Sequence, residues 1–424
     1  MTLGLLAAGL VLVLLALILP PQAAMVLGLL LVMASSASLP ILEPVNIGVR
    51  ILAISVILTL AARTPLGANA RSRDDRSTAP WIVAFVFAIG LMLSFISIAH
   101  NETGIVPAVL GAVSALVVAF APLRVLTPRQ VIQAIRDALL LVLLASLVLA
   151  AAAPGIAFRG GRLQGLSGNA NLLGFYVLLY LGLVLATSTK VQSLVMPVSL
   201  SGFVLILSGS RASAVAVVAL FLASALLRVG ATRRLLPFLM VGALGAMLLA
   251  QDLLTSNTGL LRANNSRSES WNQAKGALQL DLLRGVGLEG LKVQVASSPL
   301  RALAAGGLIA GGLLLFGLFC LLVAARRNST LKALTFAAVL HSFAEGWLVS
   351  LTGPMILLFV TSLSALAVLP LSLEDEFDTR TGGPPADSGG ATGDEPRGGQ
   401  TRTRGSRRLD SSEVSRTLPT ADPI

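Results

Sequence analysis

Arginine residues stand out in three short polar segments of an otherwise strongly apolar sequence. The segments span residues 159–171, 208–211 and 265–271, and each also contains serine or asparagine. Their arginines are Arg159, Arg162, Arg211 and Arg267. A guanidinium presents a planar fork of donors that matches phosphate oxygens, so arginine is well suited to hold a phosphate or diphosphate. These segments therefore predict a site for a phosphorylated ligand.

Arg211 is the arginine that we favour as a phosphate ligand. It opens a predicted helix and follows Ser208-Gly-Ser210, which provides helix caps and allows close approach of the backbone. A helix N-terminus combined with an arginine is a good anion site. The alternative for the other arginines is snorkelling at a membrane surface or pairing with a nearby carboxylate, as Arg267 could do with Glu269.

Two asparagines, Asn169 and Asn171, open the next predicted helix and are flanked by Gly168 and Gly174. Asparagine is a good helix cap, so capping alone explains one of them. Two asparagines beside two glycines also fit a polar crevice that binds substrate. Both interpretations stay open at the level of the sequence.

His341 and Glu345 lie four residues apart, a spacing that places two side chains on one face of a helix. Glu345 is the only carboxylate inside a predicted membrane span. Ionisable residues within a membrane are costly and usually functional. We therefore expect a catalytic role for the pair, and the alternative is a structural hydrogen bond between helices.

The composition excludes a soluble globular protein. The 424 residues are 55% hydrophobic and only 12% charged, against roughly 25% charged residues in soluble domains. One cysteine, Cys320, and two histidines are too few for a metal centre, so we expect no metal and no cofactor. The net charge of +11 reflects basic cytoplasmic loops rather than binding of nucleic acid.

Apolar runs long enough to cross a membrane recur along the chain. We predict an all-α polytopic membrane protein with 12–13 transmembrane helices. Thirteen runs are present, but the first two are joined by only four residues, so one of them could be short or re-entrant, which would leave twelve. The runs span residues 3–19, 24–42, 47–62, 81–99, 104–121, 138–153, 172–186, 191–207, 212–227, 235–250, 303–324, 333–349 and 355–369.

Basic residues occur at every second loop and predict which loops face the cytoplasm. These residues are Arg63, Arg71, Arg73, Arg76, Arg124, Arg129, Arg136, Lys190, Arg228, Arg233, Arg234, Arg326, Arg327 and Lys332. The three arginine segments then face outward, as does the largest loop, 251–301. Within that loop, 268–283 has the apolar spacing of an amphipathic helix lying over the membrane. We divide the chain into a membrane domain, 1–371, and a tail, 372–424, whose composition predicts disorder on the cytoplasmic side.

The order of these motifs resembles the O-antigen ligase and oligosaccharide polymerase superfamily of bacterial envelopes. The resemblance runs from Arg162…Asn169-x-Asn171-x-x-Gly174 through Ser208-Gly-Ser-Arg211-Ala. It continues through Arg267-x-x-x-Trp271-x-x-Ala274 and the segment 283–290, and it ends at Leu340-His-Ser-Phe-Ala-Glu345. No single motif is specific to the superfamily. The ordered set of motifs, which covers about residues 159–369, is fairly specific.

The resemblance implies a helical bundle of the GT-C type in the bacterial inner (cytoplasmic) membrane. Such enzymes transfer a glycan from a polyprenyl-diphosphate carrier to a lipid or glycan acceptor on the outer face. It implies that Arg211 holds the diphosphate, that Arg267 assists, and that the membrane, the carrier and the acceptor are the partners. The family has a histidine in a pair that precedes a Gly-x-x-Gly motif. Gly307-Leu-Ile-Ala310 matches that motif, but the pair falls on Ala296-Ser297, so the histidine is absent here. Glu289, His100 or Glu345 could take its place.

Two other classes of function remain open for the sequence. One is a flippase or transporter of a lipid-linked oligosaccharide, although the arginine segments lie on one face, whereas alternating access expects a midplane site with broken helices. The other is a non-catalytic membrane scaffold of envelope assembly, which would not need the absent histidine. Within the enzyme reading, ligase and polymerase are not separated by residues.

Overall fold

The computed structural model describes residues 2–36, 46–63, 78–188, 192–228, 266–291, 295–326, 328–351 and 353–369, which are almost entirely helical. The predicted span 235–250, residues 251–265 and 292–294 of the loop 251–301, and the tail 372–424 lie outside these residues. The α-helices of the described part are α1 Thr2–Ile18, α2 Pro21–Ala34, α3 Asn46–Ala62, α4 Ala79–Ala99, α5 Ile105–Phe120, α6 Pro128–Ala152, α7 Pro154–Ala157, α8 Ala170–Thr187, α9 Gln192–Ser208, α10 Arg211–Arg228, α11 Ser266–Leu280, α12 Ser298–Ala325, α13 Ser329–Ala344 and α14 Pro354–Ala367.

Among the described residues, five helices are long and apolar enough to cross a membrane. They comprise α4, α6, α8, α12 and the segment Ile105–Arg124, which joins α5 to a 3₁₀ turn at Pro122–Arg124. Five shorter apolar helices accompany them. The chain is therefore an all-α protein with the helices of a multi-pass membrane protein, as the composition predicted.

α8 is the central helix of the bundle. Nearly all of its side chains are buried, and it packs against α6, α9, α10, α13 and α14. Helices that are apolar on every side belong in the interior of a large protein or a membrane bundle. α8 begins at Ala170, so Asn171 lies in its first turn, at the centre of one end of the bundle.

Local signals explain where α6 begins. Thr127 and Gln130 form a reciprocal capping box, and Pro128 occupies the first helical position, a combination that starts a helix firmly. Arg129 and Arg136 therefore lie within the first turns of α6, whereas the sequence placed them in a loop before a helix at 138. Helix caps, which apolar runs do not reveal, account for the difference.

The first three helices pack together, and the most extensive contact among them is between α2 and α3. An Arg63 NH group donates to the carbonyls of Leu19, at 2.7 Å, and of Ala16, at 3.2 Å. This contact places the end of α1 and the end of α3 at the same end of the bundle.

α12 is broken at Gly307, whose φ of 60° and ψ of −156° are not helical. The loop after α11 restores the hydrogen bonds that the break removes. Leu308 and Ile309 N–H groups donate to the carbonyls of Leu282 and Leu283, at 2.9 and 3.5 Å. In the other direction, the N–H groups of residues 286 and 287 donate to the carbonyls of residues 304 and 305. The loop thereby satisfies backbone groups on both sides of the break, as a membrane environment requires.

Glycines permit this exchange. Gly285 and Gly307 both have positive φ, and a Cβ on either would collide with backbone, that of Ala305 and of Leu283 respectively. The segment 283–290 and the Gly307-x-x-Ala310 motif are separate in the sequence, and in the structure they pack directly against each other.

Candidate functional site

A short hairpin leads into the start of α8. Phe158–Arg159 pairs with Arg162–Leu163 in an antiparallel ladder, and Gly160 and Gly161 form its turn with positive φ. Asn169 is the N-cap of α8, and its side chain accepts a 2.8 Å hydrogen bond from the Asn171 N–H. The interpretation of one asparagine as a helix cap is therefore correct for Asn169, and no described contact places it in a substrate crevice.

Arg162, Asn171 and Glu345 form a continuous line of side chains that we call the Arg162–Glu345 chain. The Arg162 guanidinium donates to the Ser208 carbonyl at 2.9 Å and to Asn171 Oδ1 at 2.7 Å. The Asn171 amide in turn donates to Glu345 Oε1 at 2.6 Å. All three side chains are half-buried. The Arg162–Glu345 chain thus joins three polar segments that are separate in the sequence, at residues 159–171, 208–211 and 341–345.

Glu345 does not lie on the helix that the sequence predicted for it. α13 ends at Ala344, and Glu345 is its C-cap with extended backbone (φ −139°, ψ 139°) before a 3₁₀ turn at Gly346–Val349. The Ser298 hydroxyl holds this extended residue by donating to its carbonyl at 2.6 Å. The prediction that His341 and Glu345 share one helix face is therefore wrong, because the helix stops between them.

His341 belongs to a separate line of side chains, Ser210–Ser213–His341, which we call the serine–histidine chain. The Ser213 hydroxyl lies 3.1 Å from His341 Nε2 and the Ser210 hydroxyl lies 2.8 Å from that of Ser213. All three are buried. The His341 ring also contacts Phe175, with 5.1 Å between ring centroids. This chain fixes the start of α10 against α13.

Gly174 allows the two chains to approach one another. It lies one turn after Asn171 on α8, where a Cβ would collide with the Ser213 side chain and lie 2.9 Å from Ser210 Cβ. α8 and the start of α10 therefore touch at this glycine. The motif Asn171-x-x-Gly174 therefore has a physical reason. Asn171 donates to Glu345, and the absence of a side chain at Gly174 leaves room for Ser210 and Ser213.

Arg211 begins α10, next to Ser210, and its side chain is exposed. Arg159 is likewise exposed, in the hairpin beside Arg162. Arg267 lies in the first turn of α11, and its side chain is outside the described residues. α11 confirms a helix in the region predicted at 268–283, although it begins at Ser266 and ends at Leu280.

The two other candidates for a base lie in a different contact region. His100 Nε2 is 2.9 Å from the Arg284 carbonyl, and the Glu289 N–H donates to Glu102 Oε1 at 2.8 Å. These contacts attach the loop 281–291 to the turn between α4 and α5. The Glu289 side chain is exposed, and none of the described contacts joins it or His100 to either chain.

Two residues of the site escaped the sequence analysis. Ser213 connects Ser210 to His341, and its position three residues after Ser210 on a helix was the available signal. Arg301 lies in the first turn of α12, half-buried, with an NH group 3.5 Å from the point where a Cβ on Gly346 would lie. Within the described part of the chain its side chain makes no hydrogen bond or ion pair. A charged residue at the head of a long apolar run was the signal for Arg301.

The arrangement combines guanidinium groups, a carboxylate and helix N-termini at one end of the bundle. Arg211 and Arg301 can bind an anion, and Glu345 can accept a proton or a hydrogen bond from a bound hydroxyl. The buried serine–histidine chain and Arg162 hold the elements that carry these groups. Comparison with known proteins adds no family, since no protein-family model matches the chain and no curated protein matches it significantly.

Proposed function

We propose that this protein transfers a glycan from a polyprenyl-diphosphate carrier to a lipid or glycan acceptor on the outer face of the bacterial cytoplasmic membrane. In this proposal the described helices are part of a GT-C-like bundle of 12–13 membrane spans. The arginines bind the diphosphate, and a carboxylate assists the acceptor. The reaction needs no metal or other cofactor.

The convergence of distant polar segments is the observation that supports this proposal most. Residues 159–171, 208–211 and 341–345 meet through the Arg162–Glu345 chain and the serine–histidine chain. They are the segments whose order resembles the ligase and polymerase superfamily. Exposed Arg211 borders the same group of contacts, as a ligand for a diphosphate at the membrane surface would have to.

The proposed chemistry assigns a role to each group. The bond between the anomeric carbon and the diphosphate oxygen breaks, and the diphosphate leaves with the electron pair. An acceptor hydroxyl forms the new bond to that carbon, and its proton passes to Glu345. Donors aimed at the departing diphosphate stabilise the transition state, a role that we give to Arg211 with help from Arg267.

The described contacts favour Glu345 over the other candidates for the base. The Asn171 amide donates to its carboxylate at 2.6 Å, which fixes that carboxylate within the group of contacts formed by the three polar segments. His100 and Glu289 are joined instead to the contact between the outer loop and the α4–α5 turn. His341 is fully buried, so we assign it the role of a positioning residue rather than a catalytic one.

Arg301 extends the proposed anion site. A half-buried guanidinium without a partner among the described residues is costly, and a bound anion would offset that cost. An NH group of Arg301 lies close to Gly346, which follows Glu345 directly, so the guanidinium is near the backbone that carries the proposed base. We include Arg301 as a third diphosphate ligand.

The break in α12 is the one observation that favours a flippase. Transporters use discontinuous helices to bind substrates near the midplane. Here, however, the backbone N–H and C=O groups at the break are already hydrogen-bonded to the backbone of residues 282–287. The residues on the two sides of the break are glycine, alanine, leucine and isoleucine, which offer no polar side chain to a substrate. A scaffold without catalysis remains the third alternative, and the variants below discriminate among all three.

Substitution of Arg211 tests the proposal directly. In a strain that lacks the gene, Arg211→Ala at matched protein level should abolish formation of the surface glycan. Arg211→Lys should restore it only in part, because a point charge does not reproduce the bidentate fork. Arg159→Ala is the matched control, an exposed arginine in the neighbouring hairpin, and should reduce glycan formation far less. Wild-type glycan from Arg211→Ala would favour the scaffold.

The products in the same strains separate the remaining alternatives. Loss of long chains on a gel of surface polysaccharide indicates a polymerase, and accumulation of unattached polymer outside the membrane indicates a ligase. Accumulation of the lipid-linked glycan on the cytoplasmic side would instead indicate a flippase and contradict the proposal.

A further inference from the structure

Residues 280–284 connect α11 to the break in α12, and we call them the anchor segment. The Leu282 and Leu283 carbonyls accept hydrogen bonds from the N–H groups of Leu308 and Ile309. The position of the anchor segment along α12 is therefore set by backbone contacts at residue 308. It does not depend on where the rest of the outer loop lies.

The part of α12 after the break is long enough to cross a membrane alone. Residues 308–325 cover about 27 Å at 1.5 Å per residue, close to the ~30 Å of hydrocarbon in a typical bilayer. Its exposed residues are large and apolar, including Leu315, Phe316 and Phe319. A membrane span made of residues 308–325 would place the break, and with it the anchor segment, at one boundary of the hydrocarbon layer.

The leucines of the anchor segment are strongly exposed. Leu280, Leu282 and Leu283 have 81%, 55% and 60% of their surface accessible. Leu282 and Leu283 are joined through their carbonyls to Leu308 and Ile309, which are 50% and 43% exposed. The anchor segment therefore adjoins the exposed apolar surface of α12. Three adjacent exposed leucines facing water would be unfavourable, whereas in lipid they are not.

The polar groups of the anchor segment suit a position at the edge of the lipid. The N–H groups of Arg284 and Leu283 donate to the Asp281 carboxylate at 2.9 and 3.0 Å, and these bonds hold the pKa of Asp281 below its ordinary value. The Arg284 side chain is exposed and long enough to reach lipid phosphates. The Arg284 carbonyl is held by His100.

We infer that the anchor segment inserts Leu280, Leu282 and Leu283 among the acyl chains of the adjacent leaflet and so anchors α11 to the membrane surface. The partner is the lipid surface itself. This inference does not depend on glycan transfer, because it rests on backbone contacts and exposure. Its consequence is that α11, which carries Arg267, is held at a fixed height beside the bundle.

Fluorescence quenching in vesicles tests this inference. Single cysteines replace Leu280 or Leu282 in a Cys320→Ala background and carry an environment-sensitive fluorophore. The vesicles contain phosphatidylethanolamine, phosphatidylglycerol and a lipid with a nitroxide high on its acyl chain, and iodide serves as the aqueous quencher. Lys275→Cys, exposed on α11, is the control for water, and Phe319→Cys, exposed on α12, is the control for lipid.

Labels at Leu280 and Leu282 should resemble that at Phe319, with several-fold more quenching by the nitroxide lipid and less by iodide than at Lys275. Two positions guard against disruption of the break by one label, because none of the described hydrogen bonds between the loop and α12 involves Leu280. Quenching like that of Lys275 at both positions would overturn the inference. Protection of both from either quencher would also overturn it, since a protein or second copy would then cover the segment.

Discussion

The side-chain amide of Asn171 donates a 2.6 Å hydrogen bond to the carboxylate of Glu345, a residue 174 positions later in the chain. The same asparagine accepts from Arg162 at 2.7 Å. An amide can do both because it carries a donor group and an acceptor group. Asn171 thus separates a cation from an anion while it connects them, and this relationship sets the position of the proposed base.

Asn171→Leu should remove both hydrogen bonds and leave Arg162 and Glu345 without this partner. The expected loss of stability is about 1–3 kcal/mol, measured by thermal unfolding in detergent, and glycan formation should be lost as well. Asn328→Ala is the matched control, since Asn328 caps α13 by accepting from the Leu331 N–H. It should cost about 1 kcal/mol and leave glycan formation intact. Equal glycan formation by both variants would remove Asn171 from the site.

Ser213 and His341 should be energetically coupled. In a double-mutant cycle of Ser213→Ala and His341→Phe, residues in direct contact typically show coupling of about 0.5–3 kcal/mol. Each single variant should lower stability, because it leaves the partner's buried polar atom without this hydrogen bond. The double variant should be less destabilised than the sum of the two. Strict additivity would show that the 3.1 Å contact contributes nothing.

Gly307 and Gly312 provide a matched pair of glycines on α12. Gly307→Ala should destabilise the protein by about 1–3 kcal/mol, because its backbone conformation is essentially restricted to glycine and a Cβ would collide with Leu283. Gly312 has open space around it, so Gly312→Ala should be neutral or stabilising by up to about 1 kcal/mol. Thermal unfolding of the two variants checks the prediction, and a tolerant Gly307 would contradict the packing of the loop at the break.

Arg301→Leu should change activity and stability in opposite directions. Removal of a half-buried guanidinium that makes no described hydrogen bond should leave the unfolding temperature unchanged or raise it. Glycan formation should fall by about 10² or more if Arg301 stabilises the leaving diphosphate, and Arg301→Lys should recover part of it. A fall in stability with Arg301→Leu, together with normal glycan formation at matched protein level, would assign Arg301 a structural role instead.

Much of the architecture follows from the sequence because its causes are local. The apolar composition predicts membrane helices, since about twenty apolar residues have few other stable environments. Asn169 as a helix cap and the helix within 268–283 follow from short-range patterns, and the structure contains both. The arginine segments can also be identified from the sequence, because charged residues are rare between the apolar runs of this protein.

Only the tertiary structure decided which of these residues meet. His341 and Glu345 look like a pair in sequence, yet the end of α13 at Ala344 separates them and gives each a different partner. Those partners, Ser213 and Asn171, lie 128 and 174 residues earlier in the chain. No local pattern encodes such contacts, because they depend on how helices pack. The same holds for Gly307, whose break in α12 exists only because the backbone of a loop beyond α11 fills it.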